Sequence, residues 1–151
     1  MNKKINDTEV ESVSKVLIVN NQNKALVLTL SEHRIYPELS FTPDLPGGIV
    51  EANERELDAA IREAREESGI ELTADKLFLA YAGTEYKTLQ NKSVSKFLYI
   101  TTLENTPDIT LSWEHSSYEW VSIEKLLDSN KFRPFFEEAI RYSMNCGFIH
   151  I

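Results

Sequence analysis

The sequence predicts an α/β fold in which helices cover a mixed β-sheet. Short apolar or alternating runs, typical of strands, lie before, between and after the helical segments. Residues 54–68 instead repeat their apolar positions at helical spacing. The 151 residues suit one domain with one core, so we expect residues 1–151 to form a single domain.

The first predicted strands form a hairpin. Ser12–Asn20 contains the run Val-Leu-Ile-Val, and Ala25–Leu30 returns after a turn rich in asparagine. A polar loop over Ser31–Pro43 follows. Asp-Leu-Pro-Gly-Gly at 44–48 comes next, and we interpret it as a turn.

The first predicted helix spans Glu54–Ser68. Its apolar residues fall at i, i+3, i+4 and i+7 and form one stripe, made of Leu57, Ala60, Ile61 and Ala64. Gly69 follows at the position where glycine commonly ends a helix.

The rest of the chain alternates between the two kinds of element. Strands are predicted at Leu77–Tyr86 and Ser93–Thr101, followed by a loop with some strand character at Thr102–Ser117. A short strand, a short helix and a last helix follow, at Tyr118–Ser122, at Ile123–Asp128 and from Pro134 to about Met144.

The charge balance limits the classes of partner. The formal net charge is −8, which disfavours binding to a nucleic acid polymer or an anionic membrane. It would also repel a phosphate-bearing small molecule unless basic side chains or metal ions neutralise the site. No apolar run is long enough to span a membrane or serve as a signal peptide, and Cys146 is the single cysteine. We therefore expect a cytoplasmic location.

Three carboxylates share one side of the predicted helix. Glu63, Glu66 and Glu67 lie at i, i+3 and i+4, beside the apolar stripe. Carboxylates so close together repel one another, and a bound cation would offset this repulsion. Carboxylate oxygens are hard ligands, the kind that Mg²⁺ or Mn²⁺ prefers. Taken alone, the spacing is more often an ordinary solvated acidic face.

The surrounding residues favour the metal interpretation. The segment Gly48–Ile70 resembles the Nudix box of the MutT-type hydrolases at the fixed positions Gly48, Glu54, Arg62, Glu63, Glu66, Glu67, Gly69 and Ile70. The chain departs from the common pattern at Asn53, Arg55 and Ala64, none of which is a ligand position. The resemblance implies a Nudix-type α/β/α sandwich and hydrolysis of a diphosphate linkage.

The resemblance also implies roles for individual residues. Glu63, Glu66 and Glu67 would bind catalytic Mg²⁺, and the Gly47 carbonyl is a further candidate ligand. Support of the box would come from Gly48, from Gly69 and from a pair formed by Glu54 and Arg62.

A general base must still activate the attacking water. The family often supplies this base, or another metal ligand, from a later loop, and Glu114 is our candidate there. Glu63 could itself be the base, and Glu85 and Glu119 are weaker alternatives.

Substrate contacts are harder to assign. The basic residues near the expected cleft are Arg34, Lys87 and Lys96. The aromatic residues able to stack on a nucleobase include Phe41 and Tyr86. Core packing is the alternative role for most of these aromatic residues.

The box indicates the reaction but not the substrate. We place a nucleoside triphosphate pyrophosphohydrolase first, with dinucleoside polyphosphate or ADP-sugar hydrolysis as alternatives. Tyr86, sixteen residues after the box, fits a dinucleoside polyphosphate hydrolase, and the lack of proline between Gly48 and Thr106 disfavours an ADP-sugar enzyme.

The sequence disfavours two other classes of protein. A non-catalytic nucleotide-sensing module usually loses part of the acidic set, which is intact here. An isopentenyl diphosphate isomerase needs an active-site cysteine, whereas Cys146 lies far from the box. The apolar pattern does not distinguish a monomer from a homodimer.

Overall fold

A single seven-stranded mixed sheet organises the part of the chain that the computed structural model describes, residues 8–128 and 132–150. The strands are β1 (Glu9–Val19), β2 (Lys24–Leu30), β3 (Pro43–Asp44), β4 (Gly47–Ile49), β5 (Phe78–Lys87), β6 (Lys92–Thr102) and β7 (His115–Ser122). The helices are α1 (Glu56–Ser68), α2 (Ile123–Asp128) and α3 (Pro134–Asn145).

Strand β1 lies at the centre of this sheet. It pairs in parallel with β6 along its whole length, and β5 pairs antiparallel with β6. On its other side β1 has two antiparallel partners: β4 at Val13–Lys15 and β2 only at Val19. Strand β2 also pairs with β3 and β7. Strands β4 and β2 therefore pair with β1 at separate places along its length.

Alternation along β1 builds a core on each face of the sheet. Val16 and Ile18 pack towards α1, in a cluster that includes the predicted stripe of this helix. Leu17 and Val19 pack on the opposite face, in a cluster with residues of α2 and α3. Burial of each large aliphatic side chain contributes about 1.5–3 kcal/mol. The predicted sandwich of helices around a mixed sheet is confirmed.

Helix α1 begins two residues later than predicted. Arg55 takes the N-cap position without a side-chain capping bond, and Asn53 before it adopts left-handed backbone at φ 64°. The Ser14 hydroxyl donates to the Glu56 carbonyl at 2.7 Å and ties this first turn to β1. At the other end Gly69, at φ 74°, terminates the helix as predicted.

Other strands begin earlier than predicted where pairing with a neighbouring strand extends them. β1 begins at Glu9 because its polar start lies against the start of β6, and β7 begins at His115 because it pairs with β2. The short strands β3 and β4 fall partly in the predicted turn at 44–48. In the described residues, no helix has the length and apolar composition needed to cross a membrane.

Candidate active site

Two of the three carboxylates predicted on α1, those of Glu63 and Glu67, lie against β4, whose two glycines allow a close approach. A Cβ added to Gly48 would lie 2.8 Å from Glu63 Oε1, so a side chain there would displace this carboxylate. The neighbouring Gly47, and not Gly48, has a positive φ, at 137°. Gly48 is needed for space beside Glu63.

Glu67 is the most deeply buried carboxylate of the helix. Its side chain reaches β4, where the Gly47 N–H donates to Glu67 Oε2 at 2.8 Å. Burial raises the pKa of Glu67 to about 7, although Lys15 and the Gly47 N–H both act to lower the pKa. This carboxylate is desolvated, so a cation beside it would be bound strongly.

Arg62 holds the other two carboxylates. Its Nη1 donates to Glu63 Oε1 at 2.8 Å and to Glu66 Oε2 at 3.2 Å. The expected Glu54–Arg62 pair is present and bidentate, at 2.7 and 3.0 Å, and hydrogen bonding to Glu54 is the main reason that the pKa of Arg62 lies above its usual range. Arg62 Nη2 also donates to the Ile49 carbonyl at 3.3 Å. One guanidinium thus joins the loop before α1, strand β4 and the acidic face.

The donor set suits a hard divalent cation. Carboxylate and carbonyl oxygens are the ligands of Mg²⁺ and Mn²⁺, and Gly48 leaves room for Glu63 beside the strand. In residues 8–128 and 132–150, no three acidic, histidine or cysteine side chains already converge as metal ligands. Arg62 and the Gly47 N–H hold these carboxylates instead. Metal binding would therefore rearrange contacts that the carboxylates now make.

The Gly47 carbonyl has a cationic neighbour that the sequence interpretation missed. Lys15 Nζ donates to this carbonyl at 2.7 Å, to the Leu45 carbonyl at 3.1 Å and to Asp44 Oδ2 at 2.9 Å. Burial alone would raise the pKa of Asp44, but Lys15, His115 and Arg133 outweigh it and hold the pKa well below its usual range. The available signal was a lysine directly before the apolar run of β1.

His115 completes this buried group. Its side chain is fully buried, and Nε2 lies 3.7 Å from Asp44 Oδ2, too far for a hydrogen bond. Neither ring nitrogen has a hydrogen-bond partner in the described part of the chain. His115 therefore lies inside the protein and not on its surface.

Glu114 lies at the same end of the molecule as the end of α1. The segment before it follows this helix end, since the Thr110 and Ser112 N–H groups donate to the Ser68 and Glu67 carbonyls at 3.0 and 3.4 Å. The residue itself is exposed. The weaker alternatives Glu85 and Glu119 each pair with a lysine at 2.8 Å.

The four candidate substrate contacts do not form one cluster. Tyr86 pairs with Ser93, three residues from Lys96 along β6, so alternation places Tyr86 and Lys96 on opposite faces of the sheet. Arg34 and Phe41 are exposed in the loop between β2 and β3. This loop starts beside Glu114, where the Ser31 N–H donates to the Glu114 carbonyl at 2.8 Å.

Among curated proteins, the chain is similar to two bis(5'-nucleosyl)-tetraphosphatases [asymmetrical]. The one from Caenorhabditis elegans is 33% identical over 89 residues, or 59% of this chain and 63% of the relative. The one from Mus musculus is 28% identical over 94 residues, or 62% of this chain and 63% of the relative. Each alignment therefore spans less than two thirds of the relative's length.

Solved structures share the fold over almost the whole chain. A MutT protein from Methanosarcina mazei Go1 superposes with a TM-score of 0.79 at 26% identity, over 93% of this chain and 97% of that one. A C. elegans Ap4A hydrolase binary complex gives a TM-score of 0.65 at 24% identity, over 91% and 99%. A family model described as the NUDIX domain matches residues 11–142. With the acidic helix and its two-glycine strand in place, the chain belongs to the Nudix hydrolases, enzymes that act on phosphate anhydrides.

Proposed function

We propose that the protein hydrolyses a diphosphate linkage in a nucleotide and requires Mg²⁺, which Mn²⁺ can replace. The observation that carries the proposal is the acidic face of α1: three carboxylates beside Gly47 and Gly48, one of them buried with a pKa of about 7. In a protein of net charge −8, a polyphosphate cannot approach such a face without cations between them.

Glu63, Glu66 and Glu67 would hold the metal, with the Gly47 carbonyl and Glu114 as further candidate ligands. A bound divalent ion would polarise the phosphorus centre and lower the pKa of a bound water. The chain's own part is to position the ligands. The Gly47 N–H orients Glu67, and Arg62 keeps Glu63 and Glu66 on one side of the helix. The Glu54–Arg62 pair, with Gly48 and Gly69, would support this arrangement.

Glu114 is the proposed general base. What supports this is its exposure and its segment's contacts with the end of α1. We expect Glu114→Gln to lower kcat by about a hundredfold, the scale at which general bases contribute. Mg²⁺ affinity should change much less if Glu114 is a base and not a ligand.

Glu119→Gln is the matched control, because Glu119 is also exposed on the same stretch and pairs with Lys125. Kinetics of both variants, with Mg²⁺ titrations, decide the matter. Equal loss in both, or none in Glu114→Gln, would move the role to another residue such as Glu63.

A dinucleoside polyphosphate is the substrate we propose first. Its support is the similarity to two bis(5'-nucleosyl)-tetraphosphatases, together with the position of Tyr86 after the box. These relatives reverse the order of preference drawn from the sequence, in which nucleoside triphosphates came first. Small nucleotides, not nucleic acid polymers, remain the expected partners of so acidic a chain.

The test is a Mg²⁺-supported screen over dinucleoside polyphosphates, nucleoside triphosphates, ADP-ribose and NADH, with products identified. Asymmetrical cleavage of a dinucleoside tetraphosphate would yield a nucleoside triphosphate and a monophosphate. Pyrophosphate release from nucleoside triphosphates would instead favour a nucleoside triphosphate pyrophosphohydrolase, which the sequence interpretation places first. Turnover of none of these substrates would contradict the proposal.

A further inference from the structure

Lys15 places a buried ammonium group against the carbonyl of Gly47. The two residues lie opposite each other where β1 pairs with β4. Gly47 leaves the space for this contact, because a Cβ there would lie 2.6 Å from the Cα and 2.8 Å from the Cδ of Lys15. The lysine side chain is only 8% exposed. Its charge therefore lies inside the protein, next to an oxygen atom that is a candidate metal ligand.

Three oxygen atoms hold the ammonium group in this position. It donates to the Gly47 carbonyl at 2.7 Å, to Asp44 Oδ2 at 2.9 Å and to the Leu45 carbonyl at 3.1 Å. These acceptors satisfy all three N–H groups of a lysine. Burial acts to raise the pKa of Asp44, but its neighbours outweigh this effect, so the carboxylate stays ionised. Movement of Lys15 away from it would leave a buried charge without its main partner, which is strongly unfavourable.

The charge of Lys15 is also felt on the acidic face of α1. Burial raises the pKa of Glu63 and that of Glu67, and Lys15 is among the groups that act to lower both. For Glu67, Lys15 is the strongest of the influences that oppose burial. The ammonium group thus lies beside the place where these carboxylates would gather a metal ion.

A divalent ion on the Gly47 carbonyl would have to share this oxygen with the ammonium group. Mg²⁺ lies about 2.1 Å from its oxygen ligands, so the ion and Lys15 Nζ would be at most about 5 Å apart. Two cations this close inside a protein repel each other strongly. A carboxylate ligand offsets such repulsion with its own negative charge, whereas a carbonyl carries no net charge to do so.

We propose that the Lys15 ammonium group takes the place of a divalent ion at the Gly47 carbonyl, so that the carboxylates of α1 hold the metal without this carbonyl. The inference rests on the proposed function, because it assumes that these carboxylates bind Mg²⁺. It removes the Gly47 carbonyl from the candidate ligands. It also makes Lys15 a fixed cation that limits how tightly the site binds divalent ions.

The carbonyl of Gly47 can be observed by itself in solution. Gly47 and Gly48 are the only consecutive glycines of the chain. Protein labelled with glycine that carries ¹³C at the carbonyl and ¹⁵N at the amide therefore gives one signal in an HNCO spectrum, which reports the Gly47 carbonyl. A second sample, labelled at the glutamate carboxyl carbons, reports Glu63, Glu66 and Glu67.

The matched variant is the double substitution of Lys15→Met with Asp44→Asn, which removes the ammonium group and leaves no unpaired carboxylate. Its control is Lys92→Met with Glu11→Gln, because Lys92 and Glu11 form another such pair, at 2.6 Å, at the start of β1. During a Mg²⁺ titration, the Gly47 carbonyl signal should shift much less in the unmodified protein than in the Lys15 variant. Calorimetry should show Mg²⁺ binding about tenfold tighter in the Lys15 variant than in the control, since the fixed cation is gone.

Two results would overturn this inference and leave the proposed function intact. One is a Gly47 carbonyl shift as large in the unmodified protein as in the Lys15 variant, and the other is Mg²⁺ binding no tighter in that variant than in the control.

If the Lys15 variant does not fold, the unmodified protein decides alone. The ammonium protons of Lys15 should stay protected from exchange with water at saturating Mg²⁺, and loss of this protection would show that the metal displaces the lysine. Glutamate carboxyl signals of α1 that do not respond to Mg²⁺ would instead contradict the proposed metal site itself, and this inference with it.

Discussion

At the scale of the residue, the candidate site depends on a carboxylate that the fold removes from water. Glu67 is 4% exposed, and burial raises its pKa to about 7. Asp44 is equally buried but lies among Lys15, Arg133 and His115, so its pKa shifts the opposite way. The difference indicates that Glu67 lacks a cation that a bound metal would supply.

Stability of the metal-free protein should therefore depend on Glu67. The pKa of Glu67 rises on folding from 4.5 to about 7. The contribution of this group to the free energy of unfolding is therefore fully present below about pH 4.5 and is lost as pH rises through about 7. The shift corresponds to about 3 kcal/mol. Asp44, with its lowered pKa, titrates below this window.

Urea denaturation in EDTA, compared between the unmodified protein and Glu67→Gln, measures this dependence. We expect the variant to become the more stable of the two as pH rises from about 5 to about 8, because glutamine still accepts the Gly47 N–H without carrying charge. Parallel stability curves across that range would show that Glu67 is not desolvated as described.

The two glycines of β4 should respond differently to a methyl group. In Gly48→Ala the new Cβ meets the Glu63 carboxylate at 2.8 Å, and this side chain can move away. We expect a folded protein whose melting temperature is within a few degrees of that of the unmodified protein. Its Mg²⁺ affinity should fall by about tenfold or more, because the proposed ligand Glu63 is displaced.

In Gly47→Ala the Cβ would lie 2.1 Å from the Ser14 carbonyl oxygen, part of a strand that cannot move. Gly47→Ala should therefore be much less stable than Gly48→Ala. Thermal melts and Mg²⁺ titrations of the pair distinguish the roles, and normal metal affinity in Gly48→Ala would contradict the role given to Glu63.

At the scale of the element, the connection from β3 to β4 is held by a buried ion pair with β1. Lys15 and Asp44 are 6% and 3% exposed, and Lys15 also binds the carbonyls on either side of Pro46. Removing one member of such a pair leaves an uncompensated buried charge, at a typical cost of about 3–5 kcal/mol.

We expect Lys15→Met to destabilise the protein by about 3 kcal/mol, the lower end of that range because Asp44 keeps Arg133. Adding Asp44→Asn should recover part of the loss, since no charge then remains unpaired. Chemical denaturation of the two single variants and the double variant forms the cycle. Strictly additive losses would show that the two residues do not interact.

The elements with a local signal were predicted from the sequence. The stripe of α1, the glycine at its end and the run in β1 each depend on neighbouring residues, and these elements lie within three residues of the predicted bounds. Strands β3 and β4 are two and three residues long and exist because β1 and β2 pair with them. No local periodicity marks a strand so short.

At the scale of the whole molecule, the candidate site also has one part that the sequence predicts and one part that it does not. The acidic helix face was predicted because its three members lie within five residues of one another in the sequence. Lys15, Asp44, His115 and Arg133 meet only after the sheet and α3 have formed, and no spacing rule connects them.

Net charge links these parts. At −8, the chain repels a polyphosphate overall, and the carboxylates of α1 would offset this repulsion by gathering divalent cations. The proposed hydrolysis depends on this acidic face of α1.

The most direct measurement is therefore the Mg²⁺-dependent turnover of Glu67→Gln, with the nucleotide that the substrate screen identifies. Glu71→Gln is the control, because Glu71 is exposed just beyond α1. We predict that EDTA abolishes turnover, that Glu67→Gln folds but is slower by about a hundredfold or more, and that Glu71→Gln resembles the unmodified protein. Full Mg²⁺-dependent turnover by Glu67→Gln would contradict the account.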